Sequence, residues 1–314
     1  MENYITEIFK KIKLEEIKNI EKLDSSQNNV YKITTKNNSY ILKKYSNFAI
    51  KNKKELNKRK LQIEISKELN ELGIKTILPI KFNNDYFIYY KNNYYLIYEF
   101  YNYKVIKSKE LTLKHIKILA NTQAKIHKLN LKKAIPCHYK KININLDKTK
   151  KQYKKDLSIQ KILYDNLIDL KGLIKNCNKN LKKVNNNLCI SHNDYKLKNI
   201  LWDDDNIYLI DFDACGLSNP TVSLVESAFS LSKINNEINL DFYKEYLKEY
   251  KKIYGTIKDN YEEAITVAMN GKLQWLEYLL NIKKDTNKIY SMLEELILFI
   301  KYKEKFLEIY LSLC

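Results

Sequence analysis

The chain has 314 residues and a formal net charge of +19 at pH 7, from 56 lysine and arginine residues against 37 aspartate and glutamate residues. Its length is sufficient for two domains or for one enzyme with two lobes. Arg59 is the only arginine, whereas proteins that read bases or clamp phosphates favour arginine. We therefore interpret the charge as a solvated lysine surface and expect no specific nucleic-acid partner.

Five cysteines are scattered without a C-x-x-C pair; they are Cys137, Cys177, Cys189, Cys215 and Cys314. An odd number without metal-ligand spacing favours reduced thiols. No apolar run approaches the ~18 residues of a membrane span, and the charged N-terminal stretch lacks the apolar core of a signal peptide. The sequence predicts a cytoplasmic protein without a membrane span.

The first hundred residues favour a small, mainly β unit. Residues 1–20 carry apolar side chains at roughly helical spacing and predict an opening helix, and a longer helix is predicted at 51–72. Alternating apolar segments predict four strands, which are 30–33, 40–43, 86–90 and 94–100.

From residue 111 the pattern becomes helical. Residues 113–131 carry a well-defined apolar stripe, and residues 138–187 predict one or two helices with polar connections. Further helical patterns occupy 242–254, 261–282 and 290–313. These segments predict a second, larger and mainly helical unit.

The polar residues with a definite spacing lie in the stretch 189–216, which reads CISHNDYKLKNILWDDDNIYLIDFDACG. Apolar segments at 200–202 and 207–210 flank a polar tip and predict a β-hairpin. Because a hairpin joins its outer ends, we expect Asn199 and Asp211 to lie close together. An amide oxygen and a carboxylate form a site that Mg²⁺ accepts, and Asp194 would reach the same cavity, as phosphoryl transfer requires.

The pattern H-x-D-x₄-N, followed by a hairpin and by D-F-D, resembles the catalytic segment of the protein-kinase-like superfamily. It is most similar to the small-molecule branch, the aminoglycoside phosphotransferase and choline kinase family. The resemblance implies an α+β, bilobal protein-kinase-like fold, with a small mainly β N-lobe at 1–100 and a larger helical C-lobe at 101–314. It also implies Mg²⁺-dependent transfer of the γ-phosphoryl group of ATP or GTP to a hydroxyl group of a small molecule.

The resemblance assigns roles to the residues of the loop before the hairpin. Asp194 would orient the acceptor hydroxyl and accept its proton, and Lys196 would lie near the γ-phosphate. His192 would brace the loop. His127, in A-K-I-H, matches a histidine of the first large-lobe helix, and we interpret it as a packed structural residue.

The same resemblance implies the metal ligands. Asn199 and Asp211 would hold Mg²⁺. Asp213 replaces the glycine of the protein-kinase D-F-G, and it would add an outer-shell or second-metal carboxylate.

For the nucleotide, the resemblance points to Lys43, which would contact the α- and β-phosphates and pair with Glu64 on the following helix. The loop 24–29 lies where related folds cover the phosphates, and Ser26 and Asn28 could donate hydrogen bonds there. The loop contains no glycine, so a plain hairpin turn is an equal alternative.

The strand 94–100 resembles the one that enters the hinge between the lobes. The backbone of Glu99 to Tyr101 would bond the purine edge, and Tyr98 would stand at the back of the pocket. An ordinary aromatic-rich edge strand fits the local pattern equally well.

For the acceptor we expect a cationic small molecule, aminoglycoside-like first and choline-like second. Glu226 and Glu277 would bind ammonium groups, and Trp275 would cover a quaternary ammonium by a cation–π contact. The alternative is that Trp275 belongs to the core and that the carboxylates pair with surface lysines. An apolar segment that follows the catalytic stretch begins near Pro220 and is expected to form a helix. Many relatives carry an aspartate two to four residues after this proline, and the aspartate ties the helix to the catalytic loop. Ser223 or Glu226 occupies that neighbourhood here.

Two other functions stay open. A protein Ser/Thr kinase-like enzyme would need an A-P-E sequence and an extended activation segment, and neither follows Asp213. A catalytically silent binding or structural protein is favoured by the glycine-free loop, whereas the set of Lys43, Asp194, Asn199 and Asp211 favours an enzyme. The oligomeric state is not predicted.

Overall fold

The computed structural model of the chain describes residues 3–24, 28–46, 49–129, 139–257, 260–282 and 285–313. Its strands are β1 (Ile17–Leu23), β2 (Asn29–Thr35), β3 (Ser39–Lys44), β4 (Ile88–Tyr90), β5 (Asn93–Glu99), β6 (Cys189–Ser191), β7 (Ile200–Asp203), β8 (Asn206–Leu209), β9 (Gly216–Ser218), β10 (Lys233–Ile234) and β11 (Glu237–Ile238). Its α-helices are α1 (Asn3–Lys11), α2 (Lys53–Glu71), α3 (Leu113–Lys128), α4 (Leu146–Gln152), α5 (Leu157–Asn180), α6 (Pro220–Ser232), α7 (Leu240–Tyr254), α8 (Tyr261–Val267), α9 (Asn270–Ile282) and α10 (Thr286–Leu311).

The chain forms two compact units. The first contains Met1–Val105 together with Ile200–Asp213, and the second contains Ile106–Asn199 together with Ala214–Cys314. The hairpin of β7 and β8 is thus grouped with the N-terminal residues, although it lies far along the chain. The predicted lobe boundary between residues 100 and 101 stays a prediction.

The first unit is built on an antiparallel sheet with the strand order β1-β2-β3-β5-β4. Helix α1 packs on one face of this sheet, and its Ile5 and Phe9 share a buried cluster with Ile33, Leu42 and Ile97. Because each fully buried apolar side chain contributes about 1.5–3 kcal/mol, this cluster holds β3 firmly in the sheet. Side chains alternate along a strand, so Lys43, the residue after Leu42, points to the opposite face of the sheet.

The opening helix predicted over 1–20 is wrong in its second half, because α1 ends at Lys11 and β1 begins at Ile17. Lys13 has a φ of 58°, which ends the helix. The ladder between β1 and β2 shifts register between Ile17 and Asn19. This irregularity lets isoleucines three residues apart face the same core in a strand, so their spacing imitated a helix.

The other strands of the first unit follow the sequence pattern. The strand predicted at 86–90 is shorter than expected, because the Asp85 carboxylate accepts the backbone N–H of Phe87 at 3.1 Å before β4 begins. The predicted hairpin is confirmed. Its ladder pairs Ile200 with Leu209 and Asp203 with Asn206.

The second unit is mainly helical, as the pattern predicted. Its core includes Phe229, Phe299 and Phe306, which are almost completely buried, and the Tyr243 ring stacks on Phe306 at 4.1 Å between centroids. The single helix predicted over 261–282 is wrong, since the chain forms α8 and α9 with a break between them. The predicted α+β class is confirmed.

Three described cysteines, Cys177, Cys189 and Cys215, are buried and form no disulfide; Cys137 and Cys314 lie outside the described residues. Within the described ranges, no helix is both long enough and apolar enough to cross a membrane.

Candidate active site

Lys43 is the centre of a charged cluster in the first unit. It lies on β3, opposite Val30 of β2 and Leu96 of β5. Its Nζ atom is 2.8 Å from Oδ1 of Asp211 and 2.7 Å from Oδ2 of Asp213. Burial alone would lower the pKa of Lys43, but the two carboxylates outweigh it and raise that pKa well above its ordinary value. Lys43 is therefore a protonated ammonium group held in place by two anions.

Asp213 accepts hydrogen bonds at every one of its oxygen atoms. Besides the lysine, the Tyr45 hydroxyl donates to Oδ1 at 2.8 Å and Asn28 Nδ2 donates to Oδ2 at 3.3 Å. The backbone carbonyl accepts from Gln62 Nε2 at 2.9 Å and also from Arg59 Nη1. Burial favours the neutral acid, yet the neighbouring cations hold the pKa of Asp213 below its ordinary value. Asp213 is an ionised carboxylate with little freedom to move.

Asp211 has different surroundings. Its side chain is 39 % exposed, and among the described residues Lys43 is its only ion-pair partner. Its φ of 61° lies in the left-handed region, where an aspartate costs less than a bulky residue. The exposed carboxylate is therefore suited to bind a cation.

Glu64 on α2 is the predicted partner of Lys43, but the part of the chain that the structure describes shows no contact of this kind. No ion pair joins Lys43 to Glu64 within the described ranges of the chain, and the Glu64 side chain is half-buried. Arg59 and Gln62 are the α2 residues that contact the cluster, and Arg59 Nη1 also donates to Gln62 Oε1 at 3.0 Å. The pairing of Lys43 with Glu64 thus has no support from these contacts.

The end of β5 carries the predicted hinge residues. Tyr98 lies opposite Ile41 on β3, and burial raises its pKa although Lys43 opposes that effect. The Tyr101 hydroxyl donates to Glu99 Oε2 at 2.7 Å on the surface. Their roles towards a purine stay predictions.

The predicted phosphate-covering loop is only partly described. Ser26 lies outside the described residues. Asn28 is described, and besides its bond to Asp213 its Oδ1 accepts the backbone N–H of Ser46 at 3.2 Å. Asn28 therefore joins the beginning of β2 to the charged cluster.

In the second unit, a short strand pair fixes the beginning of the loop that carries Asp194. The strand β6 before the loop pairs with β9, which joins Ser191 to Gly216. Within the loop, the Tyr195 hydroxyl donates to the backbone carbonyl of Leu119 on α3 at 3.0 Å. A buried neutral hydrogen bond of this kind contributes about 1 kcal/mol. The loop is therefore anchored to the helical core rather than suspended from its ends.

Asp194 has partners at both carboxylate oxygens. Lys196 Nζ is 2.6 Å from Oδ1, and Lys198 Nζ is 3.6 Å from Oδ2. Asn199 Nδ2 donates to Oδ2 at 2.8 Å and to the backbone carbonyl of Asp194 at 2.9 Å. Burial would raise the pKa of Asp194, but the two lysines outweigh it and lower that pKa. Asp194 is ionised, and the Asn199 amide nitrogen is committed to it, which leaves the amide oxygen as the available ligand atom.

His127 lies in a buried hydrogen-bonded network behind the loop. Its Nδ1 is 2.7 Å from the Tyr250 hydroxyl and its Nε2 is 3.1 Å from Ser191 Oγ. Ser191 Oγ is in turn 2.7 Å from Ser223 Oγ, and Gln123 Nε2 donates to Ser223 Oγ at 3.2 Å. Burial lowers the pKa of His127 to about 3. Its contacts are those of a packed, neutral histidine, and the Ser191–Ser223 contact links α6 to β6.

His192 is also buried, at 3 % exposure, and its ring lies edge-on to Tyr195 with 6.2 Å between centroids. This position agrees with bracing of the loop.

Of the predicted acceptor ligands, Glu226 is the one with electrostatic links to the loop. Burial raises the pKa of Glu226, while Lys272 and Lys196 oppose that effect. A Cβ atom placed on Gly271 would lie 3.7 Å from Glu226 Oε1. The beginning of α9 therefore approaches this carboxylate.

The other two predicted acceptor ligands have contacts of their own. Glu277 Oε1 accepts the backbone N–H of Asn143 at 3.2 Å. The half-buried Trp275 ring stacks on Tyr278 with 5.1 Å between centroids. These contacts give no support to a shared role for Glu277 and Trp275 in a substrate pocket.

Sequence reasoning missed the residues that hold Asp213, namely Tyr45, Arg59 and Gln62. The three-residue spacing of Arg59 and Gln62 places them on one helix face, and the single arginine of a lysine-rich chain was a visible signal. It also missed Lys198 beside Asp194 and Glu295, whose Oε1 is 2.9 Å from the buried Lys272 Nζ.

Comparison with known proteins shows which family model matches the chain. The model of the phosphotransferase enzyme family (APH) matches residues 19–262. A search of curated protein sequences finds no match.

Several solved structures resemble the chain along almost its full length. A spectinomycin phosphotransferase in complex with ADP and spectinomycin is 16 % identical, covers 95 % of this chain and 93 % of its own, and has a TM-score of 0.65. The choline kinase of Streptococcus pneumoniae is 16 % identical, covers 95 % of this chain and 99 % of its own, and has a TM-score of 0.63. A microcompartment-associated aminopropanol kinase is 12 % identical, covers 98 % of each chain, and has a TM-score of 0.66. At these identities the likeness shows the fold alone, and it confirms the predicted kinase-like fold.

Proposed function

The chain belongs to the phosphotransferase enzyme family, and from that premise we propose that it transfers the γ-phosphoryl group of ATP or GTP to a hydroxyl group of a small molecule. The observation that carries the proposal is Asp194, an ionised carboxylate on a loop anchored by β6, β9 and α3. A fixed carboxylate of this kind orients an attacking hydroxyl.

The lowered pKa of Asp194 defines how it acts. A carboxylate stabilised by Lys196 and Lys198 is a weak base, so it orients the hydroxyl and takes up the proton late in the transfer. This division suits phosphoryl transfer, in which the transition state is loose and the nucleophile needs little activation. Lys196 is then placed to move from the carboxylate to a phosphate oxygen.

The nucleotide is assigned to the Lys43 cluster. A buried, protonated ammonium group is a suitable ligand for α- and β-phosphate oxygens. The solved spectinomycin phosphotransferase contains ADP, which supports an adenine nucleotide as the donor. Tyr98, Glu99 and Tyr101 on and after β5 are the proposed contacts of the base.

Mg²⁺ fits the donors that the chain offers. In the first unit Asp211 provides an exposed carboxylate, whose one ion-pair partner among the described residues is Lys43. In the second unit Asn199 provides an amide oxygen. Both are hard ligands, and each is proposed as a metal ligand by itself. Among the described residues, no group of three or more His, Cys, Asp or Glu side chains forms a complete cage, so waters and phosphate oxygens would fill the remaining positions. The ion would neutralise the charge of the phosphates.

The acceptor is proposed to carry an amine, with an aminoglycoside-like amino sugar first and a choline-like alcohol second. Glu226 supports this proposal, because a partly buried carboxylate with a raised pKa gains a counterion when an ammonium group binds. The comparisons agree in kind, since spectinomycin, choline and aminopropanol all combine a hydroxyl group with a nitrogen cation. Trp275 and Glu277 are secondary candidates.

A catalytically silent nucleotide-binding protein is the alternative, and the glycine-free loop 24–29 favours it. A thermal-shift screen followed by turnover assays separates the two. Amino sugars, amino alcohols, uncharged sugars and nucleosides are tested with ATP and GTP, with and without Mg²⁺. Saturable phosphorylation of an amine-bearing alcohol supports the proposal, and nucleotide binding without any transfer supports the silent protein.

A further inference from the structure

Asp213 and Asp211 both contact Lys43, but they differ in the number of their other partners. Asp213 accepts hydrogen bonds from five residues. All contacts in question lie within the first unit. Asp213 is bound at Oδ1, at Oδ2 and at its backbone carbonyl, whereas the Asp211 side chain is bound by Lys43 alone among the described residues. The exposed fractions differ in the same sense, at 26 % for Asp213 and 39 % for Asp211.

A carboxylate that already accepts several hydrogen bonds is a poor metal ligand. Three of the roughly four lone-pair positions of the Asp213 carboxylate are occupied, by Lys43 and Asn28 at Oδ2 and by Tyr45 at Oδ1. The guanidinium of Arg59 lies 4.0 Å from Oδ1. Mg²⁺ at Asp213 would therefore displace a donor in a part-buried site or lie close to a cation. Asp211 needs to release one lysine, and that lysine gains a phosphate oxygen when a nucleotide binds. When Asp211 binds the metal, every group that loses a partner gains another. When Asp213 binds it, at least one donor is left without a replacement partner, or the ion lies beside the Arg59 cation.

Helix α2 supports Asp213 instead of contacting Lys43. Arg59 and Gln62 both donate to the Asp213 carbonyl, and the Arg59 guanidinium also lies over the Tyr45 ring, with 5.9 Å from Cζ to the centroid. A planar guanidinium can donate to a carbonyl and to Gln62 Oε1 while it covers a ring, which the single ammonium of a lysine cannot do. The only arginine of the chain stands where this geometry is needed.

The geometry of α2 prevents Glu64 from contacting the Lys43 cluster on the same helix face as Gln62. Side chains two residues apart on a helix project from different faces, and Gln62 occupies the face that contacts Asp213. Glu64 has no hydrogen bond or ion pair with Lys43 in the described part of the chain. The role expected of a helix glutamate is thus left to another residue.

We propose that Asp213 is the positioning residue of Lys43, held by Arg59, Gln62 and Tyr45, and that Asp211 is the carboxylate left to bind the metal. The inference rests on the proposed function, because it assigns Lys43 to a nucleotide. In this arrangement Lys43 pairs with Asp213 and not with a glutamate of α2. Helix α2 contributes by donating hydrogen bonds to the Asp213 carbonyl.

The first test measures the reactivity of Lys43 in the ligand-free full-length protein. Acetylation by acetic anhydride is followed by mass spectrometry, with exposed lysines as internal references. Asp213→Asn releases Lys43 and raises its acetylation rate several-fold, and Arg59→Lys, which retains the charge, also raises it. Glu64→Gln leaves the rate unchanged. Asp85→Asn is a matched control, because Asp85 pairs with Lys60 in the same unit. In this variant Lys60 is acetylated faster and the rate at Lys43 stays unchanged.

The second test separates metal binding from positioning. Mn²⁺ binding in the presence of ADP is measured by electron paramagnetic resonance, and Asp211→Asn weakens it at least about tenfold more than Asp213→Asn does. ADP affinity without metal falls in Asp213→Asn, and the double variant with Lys43→Ala binds no more weakly than Lys43→Ala alone, since the two residues act as a unit.

Two results would overturn the inference: equal losses of Mn²⁺ affinity in the two aspartate variants, or faster Lys43 acetylation in Glu64→Gln with no change in Asp213→Asn. Wild-type protein that bound neither ADP nor Mn²⁺ would contradict the proposed function instead. The acetylation pattern would still decide the role of Asp213 in that case.

Discussion

Acid should destabilise the protein through His127, the neutral histidine behind the catalytic loop. The pKa of His127 is about 3 in the native protein and 6.5 ordinarily, so between these values the unfolded chain binds more protons than the native one. Stability therefore falls as the pH drops below 6.5. Between pH 7 and pH 5 the loss from this one residue is about 2 kcal/mol, and it reaches its full size only below pH 3.

The assay compares urea unfolding of the wild type and of His127→Gln at pH 7 and pH 5. Glutamine keeps a donor and an acceptor but does not titrate, so the variant starts from lower stability and loses about 2 kcal/mol less on acidification. All other titrating groups are common to both proteins and cancel in the difference. An equal acid sensitivity of the two proteins would refute the buried neutral state of His127 and its hydrogen bonds to Ser191 and Tyr250.

Four further outcomes are expected. Asp194→Asn retains nucleotide affinity while the turnover number falls by about 10² or more, as single-turnover kinetics would show. Lys43→Ala raises the dissociation constant of ADP, measured by calorimetry, because the ammonium group that binds the phosphates is lost. Glu226→Gln raises KM for an amine-bearing acceptor and leaves KM for the nucleotide unchanged in steady-state assays. Tyr195→Phe lowers the free energy of unfolding by about 1 kcal/mol, since it removes the hydroxyl that donates to Leu119.

Local patterns predicted much of the fold. The alternation in β2, β3 and β5 and the polar tip of the β7–β8 hairpin are short-range signals, and the structure confirms them. The signal failed at β1, where a register shift next to Ile17 gave a strand the apolar spacing of a helix. It failed also between α8 and α9, where one apolar stripe continues across a break in the backbone.

The charged residues of the candidate site were predicted from their spacing, but their partners were not. The distances from Lys43 to Asp211 and Asp213 join segments that are 168 and 170 residues apart, and only the resemblance to a family linked them. The contacts of Arg59 with Asp213 depend on the rotation of α2, which a weakly amphipathic helix does not reveal. Glu64, chosen for its apolar neighbours, lies two residues beyond the face that contacts the cluster.

The measurement that tests the central claim most directly is transfer of radiolabelled phosphate from [γ-³²P]ATP to an amine-bearing alcohol. Wild-type protein, Asp194→Asn and Asp211→Asn are compared with and without Mg²⁺, and the labelled acceptor is separated from free phosphate. We expect rapid labelling of the acceptor with the wild type and Mg²⁺, a rate lower by about 10² or more in Asp194→Asn, and no labelling in Asp211→Asn or without Mg²⁺. Transfer by Asp194→Asn at the wild-type rate, or wild-type protein that binds ATP yet labels no acceptor, would contradict it.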